Sequence, residues 1–128
     1  MTQTPSSETI LLVESDPLQR STVAEYLRDC GYLVLEAIDV REAVIVLRRQ
    51  DVDILVADVE LRDESGFQLS AMARELRPGL KVLLTRSPAR TAAIAGDLCE
   101  EGPLDHPYHP QHLVERLKRL QASSGNKS

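Results

Sequence analysis

Four short apolar runs alternate with stretches of helical periodicity, and that alternation constrains this chain more than any other feature. The runs are TILLV at Thr9–Val13, YLVLEA at Tyr32–Ala37, DILVA at Asp53–Ala57 and KVLLT at Lys81–Thr85. A strand with one wet face alternates apolar and polar residues. A near-continuous apolar run marks a strand covered on both faces, as in a parallel sheet. The intervening segments keep their apolar residues on one helical face: Val23, Leu27 and Cys30; then Val40, Ala43, Val44 and Leu47; then Leu69, Met72, Ala73 and Leu76. With no Trp, one Phe and three Tyr, the core has to be built from Leu, Val, Ile and Ala, which suits helices packed on a sheet.

The punctuation fits. Asp16-Pro17 offers an N-cap acceptor followed by a residue whose missing N–H costs nothing there. Gly31 suits the position after a helix end, and Asp39 with Glu42 forms a capping-box pattern. Pro78-Gly79 stops a third helix. Ser87-Pro88 opens a fourth, Ala-rich and weakly amphipathic, with an expected apolar face of Ala89, Ala92, Ala93 and Ile94; this predicts the least protected helix. Pro103–Asp105 is a short fifth strand by position, and Pro110, Leu113, Val114, Leu117 and Leu120 mark a last helix. Five such units predict an α/β fold, a doubly wound five-stranded parallel sheet with five helices. Residues 8–121 read as one domain, with flexible tails at 1–7 and 122–128.

A net charge of −5 and a pI near 5.2 argue against direct nucleic-acid binding, which needs a basic face. The longest aliphatic run, Ala43–Leu47, is far short of the ~20 residues of a membrane span. The polar start MTQTPSSET has no signal-peptide core. Cys30 and Cys99 lie far apart with no CxxC, so the expectation is a cytoplasmic, reduced chain without a structural disulfide.

In open α/β sheets ligands bind beyond the carboxyl ends of the strands. Glu14, Ser15 and Asp16 follow the first strand, Asp58, Val59 and Glu60 the third, Thr85, Arg86 and Ser87 the fourth, and Asp105, His106 and Pro107 the fifth. Paired carboxylates suit a hard divalent cation such as Mg²⁺. A carboxylate is also a nucleophile toward phosphoryl groups, and nearby hydroxyl and cationic groups can hold the phosphoryl oxygens. A zinc reading of His106, His109 and His112 is weak, because only the last two would share a helical face. A flavin reading lacks both a Gly-rich loop, where ESDPLQ stands, and stacking aromatics.

ILLVESDP, DILVADVELRDESG, KVLLT and LDHPY, in that order and spacing, resemble the successive motifs of response-regulator receiver domains of two-component (phosphorelay) signalling. The resemblance spans Glu8 to Gln121. It implies a flavodoxin-like fold with strand order 2-1-3-4-5 and a Mg²⁺-dependent switch. By this resemblance a histidine kinase or phosphotransfer protein would donate a phosphoryl group to Asp58, and Glu14, Asp58 and the backbone carbonyl of Glu60 would form the metal site. Thr85 would be the switch hydroxyl, and His106-Pro107 would take the place of a Lys-Pro pair that clamps the phosphoryl group. The signal leaves through the face of the fourth helix, fifth strand and fifth helix, toward a downstream protein or a second copy, without contact to nucleic acid or membrane. Such a domain is no enzyme beyond self-catalysed phosphoryl transfer and autodephosphorylation.

The departures from the family pattern cluster in the pocket. Ser15 replaces the second acid, which predicts a weakened or lost Mg²⁺ site. His106 replaces Lys, Arg62 replaces a Pro, and Pro103 takes the place of the switch aromatic. Arg86 stands where a small residue is usual; as a charge substitute it would aim its guanidinium at Asp58, Glu60 or Glu14. Two readings follow: a single-domain phospho-acceptor switch without an output domain in this chain, or a degenerate receiver used as a phosphorylation-independent interaction module.

Overall fold

The computed structural model describes residues 8–102 and 113–119. Its elements run β1 (Thr9–Val13), α1 (Pro17–Asp29), β2 (Leu33–Ala37), α2 (Val40–Arg49), β3 (Ile54–Asp58), α3 (Gly66–Leu76), β4 (Lys81–Thr85) and α4 (Pro88–Glu101). Residues 113–119 form a further helix, α5. The strands are all parallel, in the order β2-β1-β3-β4. This is the doubly wound parallel arrangement that the alternation predicts, and as far as β4 it has the flavodoxin-like strand order that the resemblance implies. The expected fifth strand at Pro103–Asp105, His106, Pro107, His109, His112 and both tails lie outside the described residues.

The expected punctuation sets the element ends. Asp16 Oδ1 accepts from the N–H groups of Leu18 and Gln19 at 2.9 and 3.3 Å, with Pro17 at the helix start. Gly31 has φ 98°, the left-handed conformation that lets the chain leave α1. Asp39 caps α2 through Glu42 N–H at 3.0 Å. The reciprocal bond differs from a standard box, because Glu42 Oε1 accepts from Ile38 N–H at 2.9 Å rather than from Asp39. Ser65 and Gln68 cap α3 reciprocally.

Alternation along each strand divides the core into two layers. Ile10, Leu12, Val34, Ile54 and Val56 point to one face, packed under α1, α4 and α5. Leu11, Val13, Leu55 and Ala57 point to the other, under α2 and α3. Right-handed crossovers that keep moving toward β4 place α2 and α3 together. α4 instead folds over the α1 face. Its buried side is Thr91, Ala92, Ile94, Ala95, Leu98 and Cys99, whereas Ala89 and Ala93 are exposed. The expected face is therefore corrected by a rotation toward Leu98 and Cys99. An Ala-rich helix has small residues on several sides and does not fix its own phase.

Cys30 and Cys99 form a disulfide between the end of α1 and the last turn of α4, with Cα atoms 5.4 Å apart. This overturns the expectation of two free thiols. That expectation rested on a sequence separation of 69 residues, and separation says nothing once α4 lies on α1.

Candidate functional site

Backbone bonds past the strand ends fix where the site residues leave the sheet. Glu14 N–H donates to Ala37 O at 3.0 Å and Val59 N–H to Thr85 O at 2.9 Å. Asp58 ends β3 in register with Thr85 at the end of β4. Asp58 Oδ1 accepts from Glu60 N–H at 2.9 Å, an Asx-type turn that orients the carboxylate. Glu14 Oε2 accepts from Asp16 N–H at 3.0 Å.

Glu14 and Asp58 are close enough to share a hydrogen bond, and the Glu14 carboxyl is pushed up to about 7. Burial is the main cause. The Asp16 N–H bond opposes it, and the charge and hydrogen bond of Asp58 add to it. Burial and the neighbouring Asp58 thus favour the protonated form of Glu14.

Positive charge reaches the pocket from α1. Arg20 Nη1 donates to Glu14 O at 2.8 Å, and its Nε pairs with Glu36 at 3.2 Å. Arg28 meets the same Glu36 at 3.1 Å. Ser15 Oγ donates to Ile38 O at 3.0 Å, so its proton ties β1 to the start of α2. Arg86 goes elsewhere. Its guanidinium carbon sits 5.8 Å from the centre of the Phe67 ring, in the first turn of α3. Among the described residues it forms no ion pair with Glu14, Asp58 or Glu60. The expectation that it aims at these acids is not met, because the ring offers the exposed guanidinium a face, worth ~0.5–1 kcal/mol.

Three further residues shape the pocket without a signal strong enough to single them out in the sequence. Asp63, in the loop after Asp58, accepts from Val40, Arg41 and Glu64 N–H at 3.0, 3.1 and 2.8 Å. Desolvation pushes its carboxyl up, but these bonds and its own N–H outweigh that and hold it below the usual range. The loop that follows Asp58 therefore caps α2. Gly66 packs so near Asp58 O that a β-carbon there would collide with backbone. Thr91 Oγ1 lies 2.9 Å from Thr85 Oγ1 and 3.0 Å from Ser87 O.

The carboxyl oxygens that meet here are those of Glu14 and Asp58. Among the described residues no three His, Cys, Asp or Glu side chains gather into a metal-holding group. The donor set still has the hardness Mg²⁺ requires, and binding would displace the proton Glu14 holds. A separate 640 Å³ concavity, lined by Glu8, Asp53, Arg77, Lys81 and Glu101, lies at the opposite end of the strands, away from this chemistry. No helix among the described residues is long and apolar enough to cross a membrane.

A parallel doubly wound sheet with an orienting turn and two facing carboxyls at its carboxyl edge defines the class: an α/β domain with an acidic pocket at that edge. Residues 10–118 match the response regulator receiver domain family, and the chain belongs to it, a module of two-component signalling. Over 120 residues it is 35% identical to the probable transcriptional regulatory protein TcrX of Mycobacterium tuberculosis, covering 91% of this chain and 51% of that protein. The chain spans about half the length of the curated relatives it matches. The non-phosphorylated HemR receiver domain of Leptospira biflexa is 28% identical with a TM-score of 0.61, covering 89% of this chain and 94% of that one. The chemotaxis response regulator CheY4 of Vibrio cholerae is 25% identical with the same TM-score of 0.61, covering 90% and 99%.

Proposed function

We propose that this receiver accepts a phosphoryl group on Asp58 from the phosphohistidine of a histidine kinase or phosphotransfer protein. One observation carries the proposal. Asp58 sits at the carboxyl end of a buried strand, with one oxygen held by Glu60 N–H and the side chain facing Glu14, in register with Thr85. The free oxygen attacks phosphorus, the P–N bond breaks onto the imidazole, and the imidazole takes a proton from water. An acyl phosphate remains. Thr85 and His106 are the residues assigned to its oxygens. Glu14, Asp58 and the Glu60 carbonyl are the groups that would hold Mg²⁺, which would supply neutralising charge. The signal then passes to a protein partner or second copy through the region of α4 and α5.

A second reading has its own support. Burial favours the protonated form of Glu14 and Ser15 spends its hydroxyl on Ile38, so the pocket is weakly charged for a cation. These features favour a phosphorylation-independent interaction module. Incubation with acetyl phosphate and Mg²⁺, followed by intact mass, separates the two. One added phosphoryl group, lost in Asp58→Asn, is the expected result; an unchanged mass favours the module.

A further inference from the structure

Thr85 is 3% exposed and Thr91 8%, and their hydroxyls meet in a buried contact, so both hydroxyl protons need acceptors inside the protein. Each hydroxyl has a single proton. The Ser87 carbonyl can only accept, so Thr91 supplies that bond at 3.0 Å. The proton between the two hydroxyls, 2.9 Å apart, then comes from Thr85. The opposite direction would leave the Thr85 proton without an acceptor among the described residues, where the one side-chain bond of Thr85 is to Thr91. Thr91 belongs to the first turn of α4 and Thr85 to the end of β4, six residues apart. The pair therefore links the pocket to α4 directly.

We propose that Thr91 is a positioning residue that holds the Thr85 hydroxyl away from the phosphoacceptor. Phosphorylation has to break the Thr85–Thr91 bond before Thr85 can donate to a phosphoryl oxygen, and α4 registers the break at its first turn. This rests on Asp58 being the phosphoacceptor. It adds a residue whose removal makes the pocket more responsive.

The test measures the affinity of the full chain for beryllofluoride with Mg²⁺, and the initial rate of labelling by acetyl phosphate. A net hydrogen bond is modest, so Thr91→Val should raise both by roughly two- to tenfold. Thr91→Ser, which keeps the hydroxyl, should match the parent. In a Thr85→Val background the Thr91→Val gain should vanish, because no proton remains to release; a purely structural effect of Thr91 would persist there. A Thr91→Val value equal to or below the parent's overturns the proposal, as does a gain that survives in the Thr85→Val background. A parent that takes up neither reagent shows the phosphoacceptor reading itself wrong, and the proposal falls with it. Should Thr91→Val not fold, NMR of the parent decides. Thr85 and Thr91 methyl signals should both move on beryllofluoride binding, and an unmoved Thr91 signal overturns the proposal.

Discussion

Reducing the Cys30–Cys99 disulfide should destabilise the domain substantially. The bond closes a loop of 69 residues and joins two buried side chains, at 0% and 4% exposure. In the chain-entropy picture, closing a loop of that length stabilises the native state by about 4 kcal/mol at 25 °C. For a domain of this size that corresponds to a midpoint shift on the order of 10–20 °C. The assay is urea unfolding of oxidised protein against the same protein after dithiothreitol, with thiols counted by mass after alkylation. Cys30→Ala/Cys99→Ala provides the comparison in which no bond can form. The oxidised protein should unfold at clearly higher urea, while the reduced parent and the double variant should lie together. Equal midpoints for oxidised and reduced protein, with the change from zero to two thiols verified, would refute the reasoning. So would two free thiols in the native protein after air oxidation.

Three other outcomes are expected. Glu14 titrates at about 7 in the fold against 4.5 when unperturbed, so the native state binds the extra proton; its contribution is intact below 4.5 and lost as pH rises through 7, and in metal-free buffer Glu14→Gln should gain stability over the parent across that window. A constant gap between the two unfolding curves at all pH values contradicts this. Asp63→Ala removes the acceptor for two N–H groups at the start of α2 and should cost ~0.5–2 kcal/mol, read by urea unfolding; because those bonds hold the Asp63 carboxyl low, the parent should lose this contribution as acid protonates it, and an unchanged midpoint counts against the cap. Ser15→Asp restores a second acid beside Glu14 and should tighten Mg²⁺ binding by about tenfold, ~1.4 kcal/mol, in a fluorescence or calorimetric titration; equal affinities dismiss Ser15 as the weak point.

What the sequence revealed was local. Asp16-Pro17, Gly31, Asp39 and Ser87-Pro88 act on their own neighbours, so their roles were readable from the residues alone. Buried parallel strands advertise themselves by unbroken apolar runs, and the positions of Glu14, Asp58 and Thr85 follow from where those runs stop. The partners made across the fold were not readable in the same way. Arg20 meets Glu14 and Glu36 only because β1 and β2 pair in one register. Asp63 finds α2 only because its loop folds back over the sheet edge. Arg86 had two targets within reach, acids and an aromatic face, and proximity in sequence could not choose between them. The phase of α4 depended on Leu98 and Cys99 reaching α1, and once it is set, both the disulfide and the Thr85–Thr91 contact follow.

The central claim is that Asp58 carries the phosphoryl group. Borohydride reduces an acyl phosphate on aspartate to homoserine, which marks the acceptor permanently. Protein treated with acetyl phosphate and Mg²⁺, reduced in this way and mapped by peptide mass spectrometry, should show homoserine at position 58. Homoserine at another acid, or unmodified Asp58 in protein that remains folded and has been saturated with the donor, would contradict the account.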